Sequence, residues 1–384
     1  MRRIYLDNGS TSFPKAPGVG QAMADYIDQL GVNVGRGGYD SAYEAGEMLL
    51  ETRRALADMF HFPEPKNVVF TPSVTYSLNF VIRGFLRPGD HAIISGMEHN
   101  AVARPMHDVR DRGVDVTVVP CSQTGQLDYE AFAASFRDNT RLVVMAHASN
   151  VCGSCIDPVR VGRICREKGV PFVLDAAQSA GVLPIDFEDM GLSALCLPGH
   201  KGLLGPQGIG VLMLTSKMAQ ELTPVISGGT GSASHLLTMP DFMPDRFEPG
   251  TFNLPGIAGL ARALSFLRET GIDRIRENEL DRARQFMDGV RDLPGVRIVG
   301  PGPDQERVGV VSLDFADMDN AMVSYLLDSE YGISTRCGLH CAPLAHKSLG
   351  TYPKGTVRFG FGWSTTEKET DSAVRAVEEI VRGN

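Results

Sequence analysis

No stretch of about eighteen apolar residues, the minimum for a membrane-spanning helix, occurs anywhere in this 384-residue sequence. Positive charge is also in deficit. Lysines and arginines number 37 against 46 aspartates and glutamates, a formal charge of −9, so no basic field exists to dominate binding to nucleic acid or to an anionic membrane. The expected partners are therefore small polar molecules or proteins, with no nucleic acid and no membrane among them. The opening stretch MRRIYLDNGSTSFPKAP reaches Asp7 and a cluster of turn residues without the apolar core of a secretion signal, so a cytoplasmic location is expected. Cysteine is scarce and odd in number. Cys121, Cys152, Cys155, Cys165, Cys196, Cys337 and Cys341 are scattered, and without a secretion signal they argue against a disulfide framework.

What is present is an alternation. NVVFT (67–71), HAIIS (91–95), DVTVVP (115–120), RLVVMAH (141–147), PFVLDAA (171–177), SALCLPG (193–199) and GIGVLML (208–214) are near-continuous apolar runs of strand length, the pattern of strands buried on both faces. Helical patterns separate them, for example SVTYSLNFVIRGFL and PVRVGRICREKG, so the segment reads as an α/β unit with a mainly parallel sheet and covering helices. Beyond Gly250 a long helical stretch, 256–290, is interrupted near Gly271. Shorter strand patterns then alternate with helices, which suggests a smaller α+β domain beginning near residue 255. No internal repeat or low-complexity tract is visible.

Ligands of open parallel sheets bind at the carboxyl ends of the strands, and the chemistry of this sequence collects there. SALCL leads into PGHKGLLGPQG, which sets Lys201 in a glycine-flanked loop. A lone lysine in such a loop is ordinarily a solvated surface residue. FVLDAAQ, however, ends a strongly apolar run on Asp175, a place that does not tolerate an unpaired carboxylate, and Gln178 follows. VMAHASN delivers Asn150 and SGMEHN delivers His99 in the same way. A lysine amine, an acid, neutral amide donors and a flat ring are what pyridoxal phosphate requires: an amine to bond its aldehyde, an acid to keep its pyridine nitrogen protonated, donors to its phenolic oxygen and a stacking partner.

Together with YLDNGST (5–11), GHK (199–201), RCGLHCA (336–342) and TVRFGFGWSTTEKE (356–369), these residues resemble the class V aminotransferase-fold enzymes of the cysteine desulfurase and selenocysteine lyase group, over nearly the whole chain. The resemblance implies a pyridoxal phosphate-dependent transferase of fold type I. Residues 15–255 would form the large cofactor-binding domain, and 1–14 with 256–384 the small α+β domain carrying the Cys341 loop and Arg358. It implies that Lys201 bonds the cofactor, Asp175 pairs with its ring nitrogen, Gln178 and Asn150 serve its ring oxygen, and His99 stacks on the ring with a part in catalysis. Val74, Thr75 and His200 would hold the phosphate, the first two at a helix N-terminus. Arg358 would clamp the substrate carboxylate, with Asn150 beside it. Thr251 would reach the phosphate of a neighbouring subunit, which implies a homodimer with shared sites.

The implied reaction is desulfuration of L-cysteine, with Cys341 as the thiolate that takes the sulfur and an acceptor protein downstream. A selenocysteine lyase acting on L-selenocysteine is the alternative, followed by an aminotransferase-like enzyme or another lyase, and by a non-catalytic sulfur-transfer scaffold. The basic neighbours Arg336 and His340 are expected to favour the ionised thiol. Three positions depart from the family pattern. Pro198 replaces a phosphate-binding serine and offers neither hydroxyl nor N–H, Leu339 stands where many relatives carry a histidine, and Cys337 is unusual and is expected to be a small packing residue. Cys152 and Cys155 form a C-x-x-C whose combination with Cys337 and Cys341 would make a zinc site. That use would consume the nucleophile, so packing is expected for the pair ahead of zinc or a local redox role, and no metal is assigned. His61, His107, His147, His235 and His346 have no ligand spacing.

Overall fold

The computed structural model describes residues 3–34 and 37–383. Met1 and Arg2, at the start of the 1–14 range assigned above to the small domain, lie outside them. A short strand, β1 (Ile4–Tyr5), precedes β2 (Val68–Thr71), β3 (His91–Ser95), β4 (Asp115–Val119), β5 (Thr140–Ala146), β6 (Phe172–Asp175), β7 (Ala194–Pro198) and β8 (Gly210–Leu214). Strands β2 to β8 form one sheet in the order β2-β8-β7-β6-β5-β3-β4. Neighbours from β4 through β7 pair in parallel, while β8 runs antiparallel to both β7 and β2. The apolar runs are continuous because helices cover both faces: β2, β3, β6, β7 and β8 are buried along their whole length. Strand β4, at the sheet edge, is exposed or half-buried except at Val119.

This order fixes where chemistry can occur. The chain leaves β3 toward β4 on one side and returns to place β5 on the other, so the sheet's connections reverse between β3 and β5, the crevice where such sheets bind ligands. Because β2 runs parallel to β7, the segments after β2, β3, β5, β6 and β7 all emerge along one edge. They carry Val74, His99, Asn150, Asp175 and Lys201 respectively.

A second sheet comes from β9 (Val296–Val299), β10 (Val310–Phe315), β12 (Arg336–Gly338) and β13 (Thr356–Gly360), antiparallel in the order β12-β13-β10-β9. Strand β11 (Ile333–Ser334) pairs in parallel with β1, which ties the N-terminal segment to the C-terminal third of the chain. Helices Leu254–Thr270 and Ile272–Val290 lie on either side of Gly271, whose positive φ of 87° a residue with a Cβ adopts only with strain. Among the described residues no helix is long and apolar enough to cross a membrane.

Candidate active site

Asp175 is the last residue of β6 and almost wholly buried. Its Oδ1 accepts the Ala177 N–H at 2.9 Å, and among the described residues nothing donates to Oδ2. Burial raises its pKa to about 6, opposed by that hydrogen bond and by the charge of Lys201, which leaves it largely ionised at neutral pH. Lys201 lies two residues past the Pro198 end of its strand, in the turn after β7. Burial, then the nearby Arg358, lowers its amine to about 8. A tenth of such an amine is neutral at pH 7, against less than about a thousandth for an ordinary lysine.

His99 caps the helix Asn100–Arg110. Its Nδ1 accepts the Ala101 N–H at 3.0 Å, so the ring is held in place by the backbone beneath it. Burial and then Lys201 lower its pKa to about 4 and leave it neutral. His200 is likewise neutral, lowered to about 4 by burial and by Lys201 and Lys15, and its Nδ1 meets Thr11 Oγ1 at 3.0 Å. Gln178 donates one amide proton to the Gly9 carbonyl at 2.9 Å. Val74 and Thr75 open the helix Val74–Phe85, whose Ser73 N-cap makes no side-chain bond to them, so their N–H groups are free for an anion. A cavity beside these residues is bordered by Asn8, Gly9, Gln178, Lys201, Glu279 and Trp363. Thr251 is exposed and borders a different cavity, with Thr71, Pro72 and Tyr76.

Arg358, on β13, is 2% exposed. It donates from Nη1 to the Asn150 carbonyl at 3.0 Å and from Nη2 to Asp7 Oδ1 at 2.7 Å and Ser10 Oγ at 2.6 Å. Asn150 is buried, and its Nδ2 donates to the His340 carbonyl at 2.7 Å. The Cys341 carbonyl accepts the Asn100 N–H at 2.7 Å. Residues that follow β3 and β5 thus clamp the backbone of the 339–342 loop, and Cys341 is exposed on it. His340 and Cys341 both adopt left-handed backbone, φ 47° and 56°, a conformation that costs non-glycine residues about 1–3 kcal/mol each and is typical of functional loops.

Two expectations need correction. His340 supplies no positive charge to Cys341: burial and then Arg358 push its pKa down to about 2, and its Nε2 meets Thr356 Oγ1 at 3.0 Å. Cys337 is exposed, because it sits on the three-residue edge strand β12, on whose outer side no further strand pairs among the described residues. Cys152 and Cys155 are buried, and among the described residues no group of three or more His, Cys, Asp or Glu could hold a metal.

The sequence reading missed Asp7, Ser10 and Glu98. Asp7 and Ser10 stood in a quoted motif, but their partner lies about 350 residues away. Glu98 is completely buried. It accepts from the Ser95 hydroxyl, and both of its oxygens accept the Ala146 N–H at 3.1 Å, so it joins the ends of β3 and β5 at the reversal point. Its placement beside His99 in MEHN was the only available signal.

A family model, Aminotransferase class-V, matches residues 4–372. The chain belongs to the class-V aminotransferase family. This family is pyridoxal phosphate-dependent, and its fold type I accounts for the mostly parallel central sheet described above. Within it, the chain is 33% identical to a probable cysteine desulfurase of Methanothermobacter thermautotrophicus over 98% of its own length and 94% of the relative's. It is 31% identical to a probable cysteine desulfurase of Pyrococcus abyssi over 99% and 94%. The apo structure of a cysteine desulfurase from Thermococcus onnurineus superposes with a TM-score of 0.92 at 30% identity, covering 100% of this chain and 95% of that one. The class-V site described here also fits the cofactor on its own geometry. Among the described residues Asp175 Oδ2 and the Lys201 amine make no hydrogen bond to protein, the His99 ring near Lys201 is neutral, and the helix that starts at Val74 has no side-chain cap on its N–H groups.

Proposed function

We propose that the protein is a pyridoxal phosphate-dependent cysteine desulfurase that converts L-cysteine to L-alanine and passes the sulfur through Cys341 to an acceptor protein. The observation that carries this reading is the exposed Cys341 on a strained loop clamped to Asn100 and Asn150, beside the edge that carries Lys201 and Asp175. The names of the relatives support it.

Val74, Thr75 and His200 would hold the cofactor phosphate, Asp175 the ring nitrogen, Gln178 and Asn150 the ring oxygen, and His99 the ring face. In a homodimer, Thr251 of each chain would serve the other chain's phosphate. Bound cofactor supplies an electron sink for the bonds at the substrate's α-carbon. Lys201, with its amine pKa near 8, would bond the cofactor and, once free, would move the α-proton. Arg358 orients the carboxylate. The Cys341 thiolate would attack the substrate sulfur: an S–S bond forms, the Cβ–S bond breaks with its electrons left on carbon, and one proton delivered to Cβ and one returned to Cα complete alanine.

The direct test supplies cofactor-loaded protein with L-cysteine or L-selenocysteine, with and without a thiol reductant. Equal amounts of alanine and sulfide from L-cysteine are expected. Alanine from L-selenocysteine alone would replace this reading with the lyase.

A further inference from the structure

Strands β12 and β13 pair so that Arg336 and Arg358 stand directly opposite each other. Two like charges in that register repel, and nothing in the sheet offsets them. The offset comes from the N-terminal segment. Ser10 Oγ accepts from Arg358 Nη2 at 2.6 Å and from Arg336 Nη1 at 2.8 Å, and donates its own proton to Asp7 Oδ1 at 2.8 Å. A hydroxyl has one donor and two acceptor positions, and here all three are used. The segment is itself fixed: Asn8 Nδ2 donates to the Gly360 carbonyl at 2.9 Å and Tyr5 Oη to the Thr11 carbonyl at 3.0 Å.

The donor count on Arg358 gives this hub a purpose. Both Nη2 protons are taken, by Asp7 and Ser10, and one Nη1 proton is taken by Asn150, so the free protons are one on Nη1 and the one on Nε, which is buried and unpartnered. Each two-pronged edge of a guanidinium includes Nη2, so the two free protons share no edge. Arg358 alone therefore does not present a carboxylate with an open fork, and a second cation is needed close by. Arg336 is exposed, and without an anchor its long side chain would range through solvent. Two guanidiniums against one Asp7 carboxylate also leave one positive charge, which one substrate carboxylate balances.

We propose that Ser10 is a positioning residue whose hydroxyl latches Arg336 onto Arg358 and Asp7, so that an amino-acid substrate's carboxylate meets two fixed guanidiniums. The choice of L-cysteine as substrate rests on the desulfurase reading; the latch itself requires only an amino-acid carboxylate.

The test compares cofactor-loaded wild type, Ser10→Ala and Ser10→Thr. Three measurements are made: steady-state sulfide release from L-cysteine, spectral titration with L-alanine, and spectral titration with cysteamine, which keeps the amine and thiol of cysteine and lacks its carboxylate. Ser10→Ala should raise the KM for L-cysteine and the Kd for L-alanine roughly tenfold, the worth of a hydrogen bond to a charged group. Its kcat should stay within about twofold and its cysteamine affinity should be unchanged, and Ser10→Thr should restore both constants. Unchanged amino-acid constants in Ser10→Ala, or an equal loss for cysteamine, would overturn the latch. If wild type released no sulfide while L-alanine binding still depended on Ser10, the desulfurase reading would fall and the latch would stand.

Discussion

At the scale of single residues, the site divides by how far its partners lie along the chain. Lys201, Asp175, Asn150 and His99 were legible because each ends or follows an apolar run where a polar group has no structural reason to be. Asp7 and Ser10 were not, since their use depends on Arg358, and no local pattern encodes a contact across about 350 residues. Cys337 was misread because its exposure is set by the edge position of β12, which the sequence does not state. The amine of Lys201 offers a residue-scale prediction. Only the neutral amine bonds the cofactor, and its pKa is lowered from 10.5 to about 8. The rate at which apoprotein gains the borohydride-sensitive chromophore should therefore rise about fivefold from pH 7 to pH 8, about twofold more by pH 9, and level off above that. A rate that keeps climbing to pH 10 would mean that the amine is unperturbed, and chromophore formation in Lys201→Ala would assign the bond to another lysine.

At the scale of elements, all seven strands of the large sheet lie where the apolar runs place them, to within about two residues, because most of them are buried on both faces and read as continuous apolar runs. The sequence YEAFAASFRDN (129–139) has a helical pattern, but the helix is shorter, Tyr129–Ala134, and beyond it Arg137 turns to Asp115 and Thr117 and Asn139 to the Gly89 carbonyl. The two-residue strands β1 and β11 pass unnoticed in sequence, being too short for a periodic signal. Glu98 shows what holds the strand ends together. Burial raises its carboxyl from 4.5 to about 8, so the folded protein keeps a proton that the unfolded chain releases. Its stabilising contribution is complete below pH 4.5 and is lost as pH rises through 8, with a slope of at most about 1.4 kcal/mol per pH unit. Glu98→Gln is neutral throughout. Its urea midpoint should fall less steeply between pH 6 and pH 9 than that of wild type, and parallel slopes would show that Glu98 is ionised in the fold.

At the scale of the whole molecule, the site gathers Asp7 and Ser10 after β1, five strand ends of the large sheet, the 339–342 loop and Arg358 of β13, so nearly the full length of the chain is needed to build it. In the proposed reaction Cys341 is the point at which these parts would meet, because its loop is anchored by Asn100 and Asn150 from the large sheet and continues from β12 of the small one. Exposure of cofactor-loaded protein to L-cysteine for a short time without reductant, followed by fragmentation mass spectrometry, tests that convergence directly. An added mass of about 32 Da, one sulfur as a persulfide, is expected on Cys341 itself, with Cys341→Ala still binding L-cysteine but releasing little sulfide. Sulfur found on Cys337, Cys152 or Cys155, with Cys341→Ala fully active, would contradict it.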